Sequence, residues 1–173
     1  MKSVAIVQTS AVSSAELKAL CTEIMPEVKV YQIIDDSLIP EVNANCGPTT
    51  AVKRRMYNYF QQAESLGVDA ILNQCSSVGE VADAIKPFVS VPVVKVDEAM
   101  AEKAVSLGKK IAMIATVAST VGPSSRLIEA AAKEAGKEIE LTDERVAEVM
   151  EVDKNMISVL ESVKKPKKEP KKK

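Results

Sequence analysis

The stretch Ile71-Leu-Asn-Gln-Cys75-Ser-Ser-Val-Gly79-Glu80 sets the reading of the whole chain. The short apolar run from Ala70 to Leu72 reads as a buried parallel strand, and Val78 to Ile85 reads as a helix. The polar residues Asn73 to Ser77 then fall at the strand's C-terminal end, the edge of an open α/β sheet where ligands bind. That turn offers a thiol, two hydroxyls and the N–H groups of a helix start, the parts of a nucleophile or base set beside an anion-binding nest. A small residue packed at a strand end accounts for the same letters, because free cysteine is among the most buried residue types. On the turn alone the two readings weigh about evenly.

Working outward, the same alternation repeats. Ser3 to Val7 reads as a first strand followed by the polar turn Gln8-Thr9-Ser10. Ser13 or Ser14 caps a helix running to about Met25, with Leu17, Leu20, Cys21 and Ile24 at helical spacing, which assigns Cys21 to the core. Val28 to Ile34 is a second strand, and Asp35 through Pro48, rich in turn residues, reads as a loop. Thr49 or Thr50 starts a long helix with Val52, Met56, Tyr59 and Ala63 on one face and Gly67 as its stop; Arg54 and Arg55 read as a basic pair of which at least one is solvated. Beyond the central strand come a strand at Val91 to Val96 and a helix at Ala99 to Leu107. A very apolar strand, Lys110 to Ala115, precedes a hydroxyl-rich turn over Thr116 to Ser125. A helix at Leu127 to Ala135 and a short strand at Glu138 to Leu141 complete the pattern. Strand, polar turn and helix in succession predict a parallel α/β sheet, and right-handed crossovers collect the polar turns along one edge. Thr142 to Val163 reads as a charged amphipathic helix, and Lys164 to Lys173 as a disordered, solubilising lysine tail.

Composition narrows the chemistry. The 173 residues are 46% hydrophobic, yet no apolar run nears the roughly 18 needed to cross a bilayer, so the chain is expected to be soluble with no membrane partner. Its N-terminus suits a strand better than a signal peptide. Three cysteines without a CxxC pair argue against a disulfide framework or a zinc site and for a reducing cytoplasm. Histidine is absent, so Ser-His-Asp and Cys-His catalysis and histidine-ligated metals are excluded. The formal charge of −1 hides a tail of seven lysines and one glutamate, leaving −7 on the remainder, which is not the footprint of a nucleic-acid-binding domain. No Gly-x-Gly-x-x-Gly or Gly-x4-Gly-Lys-Ser/Thr pattern occurs. A phosphatase Cys-x5-Arg loop would need arginine where the chain has Val81.

Three turns share one composition: Gln8-Thr9-Ser10, Cys75-Ser76-Ser77 and Thr116 through Thr120. Hydroxyls and backbone N–H groups converging from them suit one small anion, most naturally a carboxylate. A partly ionised thiol beside it could move a proton at the adjacent carbon.

The segments Asn73-Gln-Cys75-Ser-Ser-Val-Gly79-Glu80, Pro92-Val-Val-Lys-Val-Asp97-Glu98-Ala-Met100 and Lys110-Ile-Ala-Met-Ile-Ala-Thr116-Val-Ala-Ser-Thr120 resemble the aspartate/glutamate/hydantoin racemase family. Asp35-Asp36-Ser-Leu and Pro48-Thr49 add to the resemblance, which runs from about Lys2 to about Leu141. It implies two α/β lobes with substrate between them: a first parallel-sheet α/β/α lobe over 1–97 and a partial second lobe over 98–141. It implies a cofactor-independent amino-acid racemase, commonly a homodimer, acting on a small carboxylate or amino-acid substrate. Cys75 matches the catalytic first-lobe cysteine. Ser76 and Ser77 match positions that hold the substrate carboxylate, and Thr9 or Ser10, Thr116 and Thr120 match polar positions lining the cleft. The family's second cysteine lies beyond the resembling region, and no cysteine follows Cys75 here. Cys21 and Cys46 precede it, outside any matching motif. A one-thiol carbon-acid enzyme such as a decarboxylase, and a truncated, non-catalytic carboxylate binder, therefore stand beside the racemase reading.

Overall fold

The structure, a computed structural model, describes residues 1–115 and 117–145. Four parallel strands, β1 (Ser3–Gln8), β2 (Lys29–Ile34), β3 (Ala70–Asn73) and β4 (Val93–Lys95), form one sheet in the order β2-β1-β3-β4. A second parallel pair joins β5 (Lys110–Ala115) to β6 (Glu140–Arg145). The helices are α1 (Ser14–Ile24), α2 (Leu38–Ala44), α3 (Thr50–Ser65), α4 (Gly79–Ile85), α5 (Glu98–Leu107) and α6 (Ala118–Glu134). This is the parallel-sheet α/β fold expected. Because all four strands of the larger sheet run the same way, the turns after them gather at one edge.

The first lobe is organised by α3. Thr49 caps it, its hydroxyl accepting from Val52 N at 3.1 Å, and Gly67 beyond its end takes φ +70°, a conformation that favours glycine. Val52, Met56, Phe60 and Ala63 recur at helical spacing, and all are fully buried against Ala5 and Val7 of β1 and Ile71 of β3. Phe60 takes the core position where the sequence suggested Tyr59, whose ring lies at the margin of the cluster. A separate, smaller cluster, Ala101, Val105, Met113, Ile128 and Ala132, holds α5, α6 and β5 together.

Several expectations are corrected. The loop over 35–48 contains α2: Leu38 and Val42, one turn apart, are fully buried, and Pro40 is tolerated because it lies in the first turn, where its missing N–H is no loss. The turn over 116–125 is mostly the first half of α6, with Pro123 inside the helix. The last strand runs on to Arg145, so residues 142–145 are strand rather than helix; the remainder of the expected helix and the lysine tail lie outside the described residues. On α1 only Cys21 is buried; Leu20 and Ile24 are 49% and 67% exposed.

Arg55 is not a solvated charge. Its guanidinium meets Asp35 Oδ2 at 3.2 Å and also reaches Glu41 and Ser37, tying the end of β2 and α2 to α3. Tyr59 Oη donates to the same Asp35 oxygen at 2.7 Å. Burial alone would raise the Asp35 carboxyl, but hydrogen bonds from Ser37 and Tyr59 and the Arg55 charge outweigh it and hold the group below its usual value. A depressed folded pKa means stabilisation that is present above the unfolded value, near 3.8, and is lost as pH falls through the folded one. Asp35→Asn is therefore expected to destabilise the protein by about 1–2 kcal/mol at pH 7. In urea titrations the gap from the wild type should close below about pH 4; a gap constant down to pH 2 would contradict the network.

Candidate functional site

Cys75 leaves the C-terminal end of β3, a strand hydrogen-bonded on both sides, to β1 and to β4. Asn73, fully buried, donates through Nδ2 to the Cys75 carbonyl at 2.9 Å, and Gln74 N donates to Val7 O at 3.0 Å, so the backbone on both sides of the thiol is fixed. Ser76–Val78 forms a short 3-10 turn that runs straight into α4. Val78 is buried in the first-lobe core and anchors this turn, and the partly exposed Cys75 packs at the margin of the same cluster. With only seven residues in α4, the field of a helix end is weak here. The polar groups that the turn offers are its hydroxyls and local N–H groups.

Those hydroxyls converge from two lobes. Ser77, 3% exposed, shares a 2.9 Å hydrogen bond with Ser119 at the start of α6. Ser76 lies beside it and borders a cavity of about 290 Å³ between α4 and α6. That cavity does not include Cys75, so the thiol sits at its side rather than within it. Thr9 is buried directly after β1, and the Ser10 hydroxyl accepts from Val12 N at 3.2 Å. Thr120 uses its hydroxyl locally, donating to the Val117 carbonyl at 2.7 Å, as residues in a first helical turn often do. Thr116 lies outside the described residues. Of the second-lobe hydroxyls described, it is thus Ser119 that meets the Cys75 turn. The signal for it was the helix start at Ala118, hidden by a run of turn-forming letters.

Charges surround the turn in pairs. Arg126 of α6 donates to Glu80 of α4, with Nη2 to Oε2 at 3.0 Å, and this holds the Glu80 carboxyl below its usual range. Lys95, buried at the end of β4, gives its ammonium to Asp83 at 2.6 Å. Asp97, also buried, accepts from Ser124 of α6 at 3.2 Å. Cys21 is buried on α1 and Cys46 is exposed in the loop before α3, so neither shares the turn with Cys75. Among the described residues, no three His, Cys, Asp or Glu side chains come together to hold a metal ion, and no helix is long and apolar enough to cross a membrane.

The profile of the Asp/Glu/Hydantoin racemase family matches residues 5–169. The chain belongs to that family. Two solved racemases share its fold. Glutamate racemase from Aquifex pyrophilus superposes with a TM-score of 0.64 at 20% identity over 92% of this chain. Glutamate racemase from Francisella tularensis subsp. tularensis SCHU S4, solved in complex with D-glutamate, gives 0.67 at 14% identity over 94%. The racemase-family chain spans 64% and 60% of the lengths of those two proteins. No curated protein matches it.

Proposed function

We propose that this member of the racemase family acts on a small amino acid or related carboxylate, with Cys75 as the acid/base at Cα. The observation that carries the reading is the joint of the two lobes at this turn: a partly exposed thiol at the end of β3, beside the Ser77–Ser119 pair. The substrate carboxylate displaces that pair and takes hydrogen bonds from Ser76, Ser77 and Ser119, with Thr9 and Ser10 from the β1 turn and Thr116 and Thr120 completing the cleft. The Cys75 thiolate then takes the Cα proton, and the electron pair left on carbon is delocalised into the carboxylate that the hydroxyls hold. Thiol and hydroxyls suffice for this step, so the reading includes no cofactor. It places the chain in the cytoplasm as a homodimer, for which the exposed Leu20, Ile24 and Ile34 beside β2 supply an apolar face.

One observation favours a second reading. Among the described residues Cys75 is the sole thiol at the site, and a single thiol returns its proton to the face it came from. That outcome is exchange without inversion, or decarboxylation with retained handedness, whereas racemisation needs a second proton donor across the cleft.

Solvent deuterium incorporation at Cα, followed by NMR over a panel of L- and D-amino acids and small carboxylates, tests both. Exchange accompanied by the opposite enantiomer supports the racemase, and exchange with handedness kept supports one-face chemistry. No exchange across the panel would leave carboxylate binding without catalysis.

A further inference from the structure

Asp97 is a buried carboxylate without a counter-charge. It follows β4 and stands at the N-cap position of α5, yet its side chain makes no cap hydrogen bond there. Ser124 of α6 donates to its Oδ2 at 3.2 Å, and Oδ1 has no hydrogen-bond partner among the described residues. The residue is only 8% exposed. Burying a carboxylate in this way is costly unless a cation or a strong donor meets it. The field of the α5 N-terminus lessens that cost without supplying a hydrogen bond. Lys95 and Arg126 line the same cavity as Asp97, but both are engaged elsewhere: Lys95 Nζ meets Asp83 Oδ2 at 2.6 Å, and Arg126 Nη2 donates to Glu80 Oε2 at 3.0 Å. Asp97 shares in neither pair and forms no ion pair of its own among the described residues.

That cavity, about 290 Å³ between α4 and α6, is of a size for a small ligand. Its wall carries the carboxylates of Glu80, Asp83 and Asp97 against the two cations, so once the pairs are made the charge left over is that of Asp97. Toward α6 the wall is largely aliphatic, with Pro123, Leu127 and Ala130. An aliphatic flank beside a lone carboxylate fits a short hydrocarbon stem that ends in a positively charged N–H donor. A bare metal ion is poorly served, since no three acidic, cysteine or histidine side chains come together among the described residues. With Oδ2 held by Ser124, one oxygen remains, which suits the point charge of an ammonium better than a two-pronged guanidinium. The last torsion of an aspartate is soft, so Oδ1 can turn to meet a donor that enters from the cavity. We propose that this cavity binds a small primary alkylammonium group, with Asp97 as its counter-charge and Pro123, Leu127 and Ala130 against its stem. Cys75 does not line the cavity, so the site does not rest on the acid/base reading above.

The test is a titration of the full chain with pentylammonium, followed by ligand-observed NMR, with pentanol, tetramethylammonium and butylguanidinium for comparison. Pentylammonium is expected to bind saturably, and pentanol, of the same length without the charge, about ten-fold more weakly or worse. Tetramethylammonium, a cation with no N–H, should be as weak as pentanol, and butylguanidinium should lie between. Asp97→Asn should weaken pentylammonium about ten-fold or more, to the level of pentanol. The urea midpoint of that variant should stay at or above that of the wild type, because asparagine keeps an acceptor for Ser124 and carries no charge. Ala130→Leu, at an exposed position on the wall, narrows the cavity with Asp97 intact and should weaken pentylammonium and pentanol alike. Cys75→Ala should bind pentylammonium as the wild type does. Failure of pentylammonium to bind saturably, undiminished binding in Asp97→Asn, or pentanol binding equal to that of pentylammonium would overturn the site.

Discussion

Cys75→Ala is expected to slow deuterium incorporation at Cα by about 10²–10⁴-fold, the contribution of a positioned general base. The thiolate, not the thiol, is the form that takes the Cα proton. A serine hydroxyl in the same place is a far weaker acid than a thiol, and Cys75→Ser is expected to fail as badly as alanine while preserving shape. The strand end that holds the thiol is fixed by main-chain bonds and by the Asn73 amide rather than by the sulfur, so either variant should fold. Cys46→Ser and Cys21→Ala, by contrast, should exchange within about two-fold of the wild type, since neither thiol shares the turn. Rate loss on removing Cys46 equal to that on removing Cys75 would place a second thiol in the chemistry and would refute the assignment of Cys75 as the single acid/base.

Much of this was legible because the lobes repeat one unit. A run such as Ala70 to Leu72, bounded by polar residues and followed by a helical period, has few alternatives in a chain that does it again and again. The parallel sheet follows from that repetition, and so does the edge on which Cys75 stands. What the letters hid was hidden by proline and by small polar residues. Leu38-Ile-Pro-Glu-Val reads as loop because of Pro40 and the asparagines after it, yet the Leu38–Val42 spacing was the signal of a buried helical turn. Ala118-Ser-Thr-Val-Gly-Pro-Ser-Ser reads as a turn on every local preference. It is helix because Ile128 and Ala132 are buried one turn apart in the second-lobe core, and tertiary packing overrides a propensity cost of a few kcal/mol. Ser119 lay inside the hydroxyl-rich run from Thr116 to Thr120, but only the helix start fixes which of its adjacent hydroxyls faces the Cys75 turn. Arg55 was obscured for a different reason. Its partners Asp35 and Glu41 lie 20 and 14 residues away, and pairing across α2 depends on a helix that had been read as loop.

The site also depends on packing far from it. Phe60→Ala is expected to cost about 3–5 kcal/mol, a large share of the roughly 5–15 kcal/mol that holds a typical domain together. The ring is fully buried, and around it are α3, β1 and β3, including Ile71, four residues before the thiol, and Val78 at the end of the 3-10 turn. Removing it leaves a cavity that fixed strands cannot fill, so the loss combines transfer and void terms. Phe60→Leu, which keeps most of the volume, should cost markedly less. Tyrosine fluorescence is the suitable probe, because Tyr31, Tyr57 and Tyr59 all lie in the first lobe and the chain has no tryptophan. In urea the Phe60→Ala midpoint should fall well below that of the wild type, and protection of Cys75 from alkylation should disappear over the same range, since Val78 ties the turn to this core. A shift of under about 1 kcal/mol would mean that α3 does not pack as described. Loss of Cys75 protection well before the tyrosine signal would mean that the turn opens independently of the first-lobe core beneath it.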